Sequence, residues 1–121
     1  SDHIKDNLGL FSDKTVEMVN QQIAQVYQAR GWMIAVETRD AADIPNLPAD
    51  KSEQDRFLTQ WTTKNYVANK LEGIYLIIFK NPSKFRIHVD TDQQRKMGVT
   101  QADINQWSNQ LTDNLRSRRF D

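Results

Sequence analysis

The stretch that decides the fold is GIYLIIFKNPSKFRIHVD, residues 73–90. Ile74 to Phe79 is an unbroken apolar run, typical of a strand buried on both faces. Asn81-Pro82 then predicts a turn, because proline fixes its own φ and has no N–H to donate to a ladder. Lys84 to Asp90 alternates apolar and polar residues, which indicates a strand with one solvent-facing side. The stretch therefore predicts a β-hairpin whose second strand lies at or near a sheet edge.

Two helices and another strand precede the hairpin. Apolar residues recur every three or four positions between Ser12 and Gly31, which predicts a helix over 13–30 with Ser12 as its N-cap and Gly31 as a left-handed stop. Trp32 to Glu37 (WMIAVE) predicts a second buried strand. Thr38 to Lys51 contains two prolines and three aspartates, which predicts a loop. Ser52, with Asp55 in an approximate capping box, is expected to start a helix that ends near Asn69.

The remaining segments complete the topology. Thr100 with Asp103 predicts the cap of a last helix with an apolar stripe at Ile104, Trp107, Leu111 and Leu115. Residues 1–11 are expected to run extended along the core edge, and 91–99 stays open between a helical turn and a loop. Strands joined through a helix are parallel with a right-handed crossover, whereas the hairpin is antiparallel. The order predicts one α/β domain over residues 1–121, a small mixed sheet with helices on both faces.

Composition excludes several classes of protein. Sixteen basic residues balance sixteen acidic ones, so there is no bulk attraction to nucleic acid or to an anionic membrane. The chain has no cysteine, which excludes disulfides, thiolate chemistry and cysteine-ligated metals. The longest apolar run is far shorter than the roughly 20 residues of a membrane span. No glycine-rich phosphate loop or nucleic-acid-binding motif is present, and we expect no nucleic-acid partner.

Carboxylates are predicted to meet at the open end of the hairpin. Glu72 precedes the first strand, and Asp90 ends the antiparallel strand, so both belong to the same end. Asp92 follows two residues later and points the same way if the extended chain continues. Three carboxylates there would suit Ca²⁺ or Mg²⁺, which prefer oxygen ligands. The alternative is a solvated strand end in which Asp90 or Asp92 caps the next turn.

A second candidate site follows the first predicted strand, at Thr38, Arg39, Asp40 and Asp43. Ligands of open α/β sheets favour the carboxyl ends of parallel strands. Asp40 would act there as a nucleophile or metal ligand in phosphoryl transfer, with Arg39 holding phosphate oxygens. The alternative is a solvated connection in which Asp43 makes a turn.

Other conspicuous residues receive structural interpretations. His88, on the polar side of its strand, is interpreted as a solvent-exposed bystander. Trp32, Trp61 and Trp107 each fall on an apolar position and are assigned to the core. Arg116, Arg118 and Arg119 either contact anionic lipid or an acidic partner, or complement the dipole of the last helix.

With its elements in this order, the chain resembles the TPM domain family, named partly for a thylakoid-lumen phosphatase-like protein. One similar segment is IKDNLGLFS at 4–12, which leads into the first helix. A second is WMIAVETRD at 32–40. The third combines Phe57 and Trp61 of the second helix with Gly73 and the hairpin strands IYLIIF and FRIHV. The resemblance spans most of the chain.

The resemblance implies an α/β sandwich on the outer side of a membrane or in a lumen, anchored by a transmembrane helix elsewhere in a longer protein. Members have been linked to acid phosphatase activity, divalent-cation binding, photosystem repair and assembly of membrane complexes. This chain departs from the family pattern at two places. Leu71-Glu72-Gly73 stands where members often have Asp-Asn-Gly, and Asp90-Thr91-Asp92 stands for Gly-Tyr-Gly, with Gln94 near the place of a later Glu.

We therefore expect an extracytoplasmic accessory or protein-interaction domain at a membrane surface. Its partner would be a membrane protein or membrane complex, and Ca²⁺ or Mg²⁺ would steady the hairpin end. A weak metal-assisted acid phosphatase is the alternative.

Overall fold

The computed structural model describes the backbone of residues 4–117 and the side chains of residues 4–109. The described chain contains four strands, four α-helices and one short 3₁₀ helix. Their bounds are β1 Ile4–Asp6, α1 Asp13–Arg30, β2 Ile34–Asp40, the 3₁₀ helix Ala41–Asp43, α2 Lys51–Ala68, β3 Ile74–Lys80, β4 Lys84–His88, α3 Thr91–Met97 and α4 Gln101–Ser117.

The four strands form one mixed sheet in the order β1-β2-β3-β4. β1 and β2 are parallel, β2 and β3 are parallel, and β3 and β4 are antiparallel. The predicted α/β fold with a mixed sheet is therefore confirmed. β1 was expected only as an extended segment and not as a strand, because three residues are too few to show periodicity.

Helices cover both faces of the sheet. On one face α2 buries Leu58 and Tyr66 against Tyr75, Ile77 and Phe79 of β3. On the other face α1 buries Ile23 against β1 and β2, while α4 lies against a cluster centred on Ile74, Val89 and Val99. Successive residues of β2 and β3 alternate between these two faces, as the pleat of a strand requires. The three tryptophans assigned to the core, Trp32, Trp61 and Trp107, pack partly buried against these clusters.

Local side-chain chemistry sets the helix ends. Ser12 accepts the Thr15 N–H at 3.2 Å, and Gly31 has a φ of 71°, so α1 begins and ends as predicted. Thr100 and Asp103 each accept the other's backbone N–H, which confirms the predicted cap of α4. α2 begins earlier than predicted, because the Asp50 carboxylate accepts the N–H groups of Ser52 and Glu53.

Two strand predictions were wrong in detail. β2 continues to Asp40 and not only to Glu37, since it pairs with β3 over seven residues. The polar side of β4 is not open to solvent, because α2 lies over it. Arg86 donates to Thr59 and pairs with Asp55, both on α2. The undecided segment 91–99 contains α3, which ends at the left-handed Gly98.

Gly73→Ala should destabilise the domain, because the Gly73 backbone lies close to the Met33 backbone where the pairing of β2 with β3 begins. Gly73 has a φ of +79°, and a Cβ there would lie 2.3 Å from the Met33 carbonyl oxygen. The Met33 backbone occupies the space that the alanine methyl group needs. We therefore expect the free energy of unfolding, measured by urea denaturation, to fall by about 3 kcal/mol or more. Gly98→Ala is the control, since it has a φ of +70° with nothing within 4 Å. It should lose only about 1–2 kcal/mol. Equal losses for both would contradict the steric explanation.

Candidate functional site

The Tyr66 hydroxyl lies at the open end of the β3–β4 hairpin. It donates to the Gly73 carbonyl oxygen at 2.9 Å. Burial raises the pKa of Tyr66, and the negative charges of Asp90 and Glu72 raise it further. Two of the three predicted carboxylates therefore lie near the same hydroxyl. The sequence did not single out Tyr66, although its position on the apolar side of α2 marked it for burial.

Asp92, the third predicted carboxylate, does not join them. α3 begins at Thr91, so the chain stops being extended directly after Asp90. Asp92 then lies in the first turn of a helix, where its carboxylate is exposed and pairs with Arg95 at 3.0 Å. Asp90 is the N-cap residue of α3, although its side chain makes no capping hydrogen bond.

His88 is half-buried and is not the exposed bystander that its strand pattern indicated. Its Nε2 lies 2.8 Å from Asp90 Oδ1, and its ring packs edge-on against Tyr66 with centroids 4.6 Å apart. The alternation of β4 predicted correctly that His88 and Arg86 share one face. It did not predict that α2 lies over this face.

The acids at the hairpin end do not supply the ligand set that a divalent cation requires. Ca²⁺ takes six to eight oxygen ligands and Mg²⁺ requires a near-octahedral set. Within the described side chains, no group of three or more His, Asp or Glu residues could hold a metal ion. Asp90 instead contacts His88, and Asp92 contacts Arg95. As arranged here, these residues do not form a cation cage, and Ca²⁺ or Mg²⁺ binding stays a prediction.

Thr38, the first residue of the second candidate site, is fully buried in a structural contact. Its hydroxyl donates to Asp6 Oδ1 at 2.7 Å and accepts the Leu8 N–H at 3.1 Å. The Asp6 carboxylate also accepts the N–H groups of Leu10 at 3.0 Å and Phe11 at 2.9 Å. We call this set of hydrogen bonds the Asp6 clamp. It fixes the turn between β1 and α1 onto β2, so Thr38 cannot contact a ligand.

The hydrogen bonds of the Asp6 clamp shift the pKa of the Asp6 carboxylate. Its partial burial acts to raise the pKa, but the hydrogen bonds from Phe11, Thr38 and Leu10 together outweigh burial, and the pKa of Asp6 is lowered. Asp6 is the aspartate in the segment 4–12 that resembles the TPM family. That segment could have indicated a specific role for Asp6, although none was predicted from the sequence.

Arg39, the second residue, belongs to a buried polar network on the α2 face. Its guanidinium pairs with Glu37 Oε2 at 3.0 Å and stacks over the Trp61 ring at 5.1 Å. The other Glu37 oxygen accepts the Tyr75 hydroxyl at 2.9 Å, and Asn65 donates to that hydroxyl. Burial first, and then the Glu37 charge, raise the pKa of Tyr75, so this hydroxyl stays a donor. Arg39 is therefore held by Glu37, a pairing that no local sequence pattern indicated.

Asp40 and Asp43, the last two residues, lie beyond the end of β2. Asp40 caps the 3₁₀ helix by accepting the Ala42 N–H at 3.0 Å, and it also accepts Asn81 Nδ2 at 3.3 Å. Asp43 is exposed. Thr38 and Arg39 are neighbours on one strand, so their side chains point to opposite faces of the sheet. The structure therefore does not bring the four residues of this candidate site together.

Two further features concern a membrane. The side chains of Arg116, Arg118 and Arg119 lie outside the described residues. Among the helices that the structure describes, none combines the length and the apolar character needed to cross a bilayer.

The fold and its two strand-end clusters define a small mixed α/β domain of the sandwich type. The family model described as the TPM domain matches residues 4–121, so the chain belongs to the TPM domain family. The resemblance drawn from the sequence is thereby confirmed. The chain is also similar to the solution NMR structure of the N-terminal domain of a protein from P. gingivalis. The TM-score is 0.59 at 19% identity, covering 98% of this chain and 72% of that one. This likeness supports the fold alone. No curated protein matches the chain.

Asp6→Asn should lower stability in a pH-dependent way. A carboxylate whose folded-state pKa is lowered stabilises the fold above its unfolded pKa, and this contribution disappears as the pH falls through the folded pKa. We expect the variant to lose about 1–2 kcal/mol at pH 7 and much less near pH 3, measured by urea denaturation at both values.

Asp43→Asn is the matched control for this measurement, because the Asp43 side chain is exposed and makes no hydrogen bond within the described chain. It should change the free energy of unfolding little at either pH. A loss for Asp6→Asn that is the same at pH 3 as at pH 7 would rule out the charged form of Asp6 as the stabilising species.

Proposed function

We propose that this TPM domain is a non-catalytic accessory domain that binds a protein partner at the outer surface of a membrane. Family membership supplies the context, since the resemblance implied an extracytoplasmic, membrane-anchored setting and a membrane protein or complex as partner. Family membership alone does not choose an activity, because one fold hosts many functions. The choice rests on the chemistry of the candidate residues.

The observation that carries the proposal is that three of the five acidic candidates are engaged within their own chain. Asp90 contacts His88, Asp92 pairs with Arg95, and Asp40 caps a helix while accepting from Asn81. A phosphatase requires a nucleophile or an activated water together with groups that stabilise the charge developing on the phosphate. The best phosphate-binding candidate, Arg39, is held by Glu37 and Trp61. These commitments favour a scaffold role over catalysis.

Hydrolysis of a phosphate monoester tests this proposal directly. We expect the domain to release para-nitrophenol from para-nitrophenyl phosphate no faster than a protein-free control does. This should hold at acid and neutral pH with Ca²⁺ or Mg²⁺ present. Asp90→Ala and Asp40→Ala should give the same rates as the unmodified domain. Hydrolysis that disappears in either variant while the fold melts normally would overturn the accessory function. Loss in Asp90→Ala alone would place an active site at the hairpin end.

The alternative function, a weak metal-assisted acid phosphatase, is favoured by one arrangement. Glu72 and Asp90 both act electrostatically on the Tyr66 hydroxyl, so two carboxylates belong to one small region. A divalent cation placed there would supply positive charge for an anionic substrate or, without catalysis, would steady the hairpin end. Binding of a cation there would be weak, because only two carboxylates are available and one of them, Asp90, already contacts His88.

A calcium titration followed by thermal melting tests the cation. For a dissociation constant of about 1 mM, 10 mM Ca²⁺ should add about 1.4 kcal/mol of stability. Asp90→Asn should abolish that gain, whereas Asp43→Asn, an exposed acid away from the hairpin end, should keep it. No gain in the unmodified domain with either Ca²⁺ or Mg²⁺ would remove the cation from the proposal and leave the accessory function standing.

A further inference from the structure

We draw no further inference here: the strongest candidate, the apolar cavity of about 420 Å³ between the C-terminal half of α1, the start of β2 and the loop that follows α2, carries nothing, because nothing in the described part of the structure shows what covers it.

Discussion

The parallel pairing of β2 with β3 is the constraint on which the rest of the domain depends. Seven residues of each strand face one another, from Ile34 opposite Ile74 to Asp40 opposite Lys80. The pairing begins where the Ile74 N–H donates to the Met33 carbonyl at 2.7 Å, a close approach that leaves no room for a side chain at residue 73. A shift by one residue would exchange the two faces of β2 and bring Glu37 out from beneath α2.

This register also explains why polar groups occur inside the domain. Glu37 is buried, and its carboxylate contacts Tyr75 on the neighbouring strand and Arg39 on its own. Within the described side chains, no buried nitrogen or oxygen atom lacks a hydrogen-bond partner. Removing one member of such a network leaves the others desolvated and unpaired, which costs more than the net value of a single hydrogen bond. The network therefore fixes how α2 and β2 pack.

The acids predicted to bind a metal ion or another ligand lie at two strand ends. At the hairpin end and beyond β2, acids lie close together along the chain, as in many metal and phosphate sites. Here neighbouring side chains or backbone N–H groups bind Asp40, Asp90 and Asp92, whereas Glu72 and Asp43 are exposed.

The sequence by itself determined the elements that local chemistry encodes. Ser12 and Gly31 bounded α1, the run before Pro82 defined β3, and Thr100 with Asp103 capped α4, because each signal acts within a few residues. It also determined the relative directions of β2, β3 and β4, since a helical connection between strands and a tight turn leave few arrangements. Only the tertiary structure decided which side chains meet. Asp6 and Thr38 are 32 residues apart in the chain, and Tyr75 and Glu37 are 38 apart. Such partners follow from register and from the helix that covers each face, and no local pattern records either.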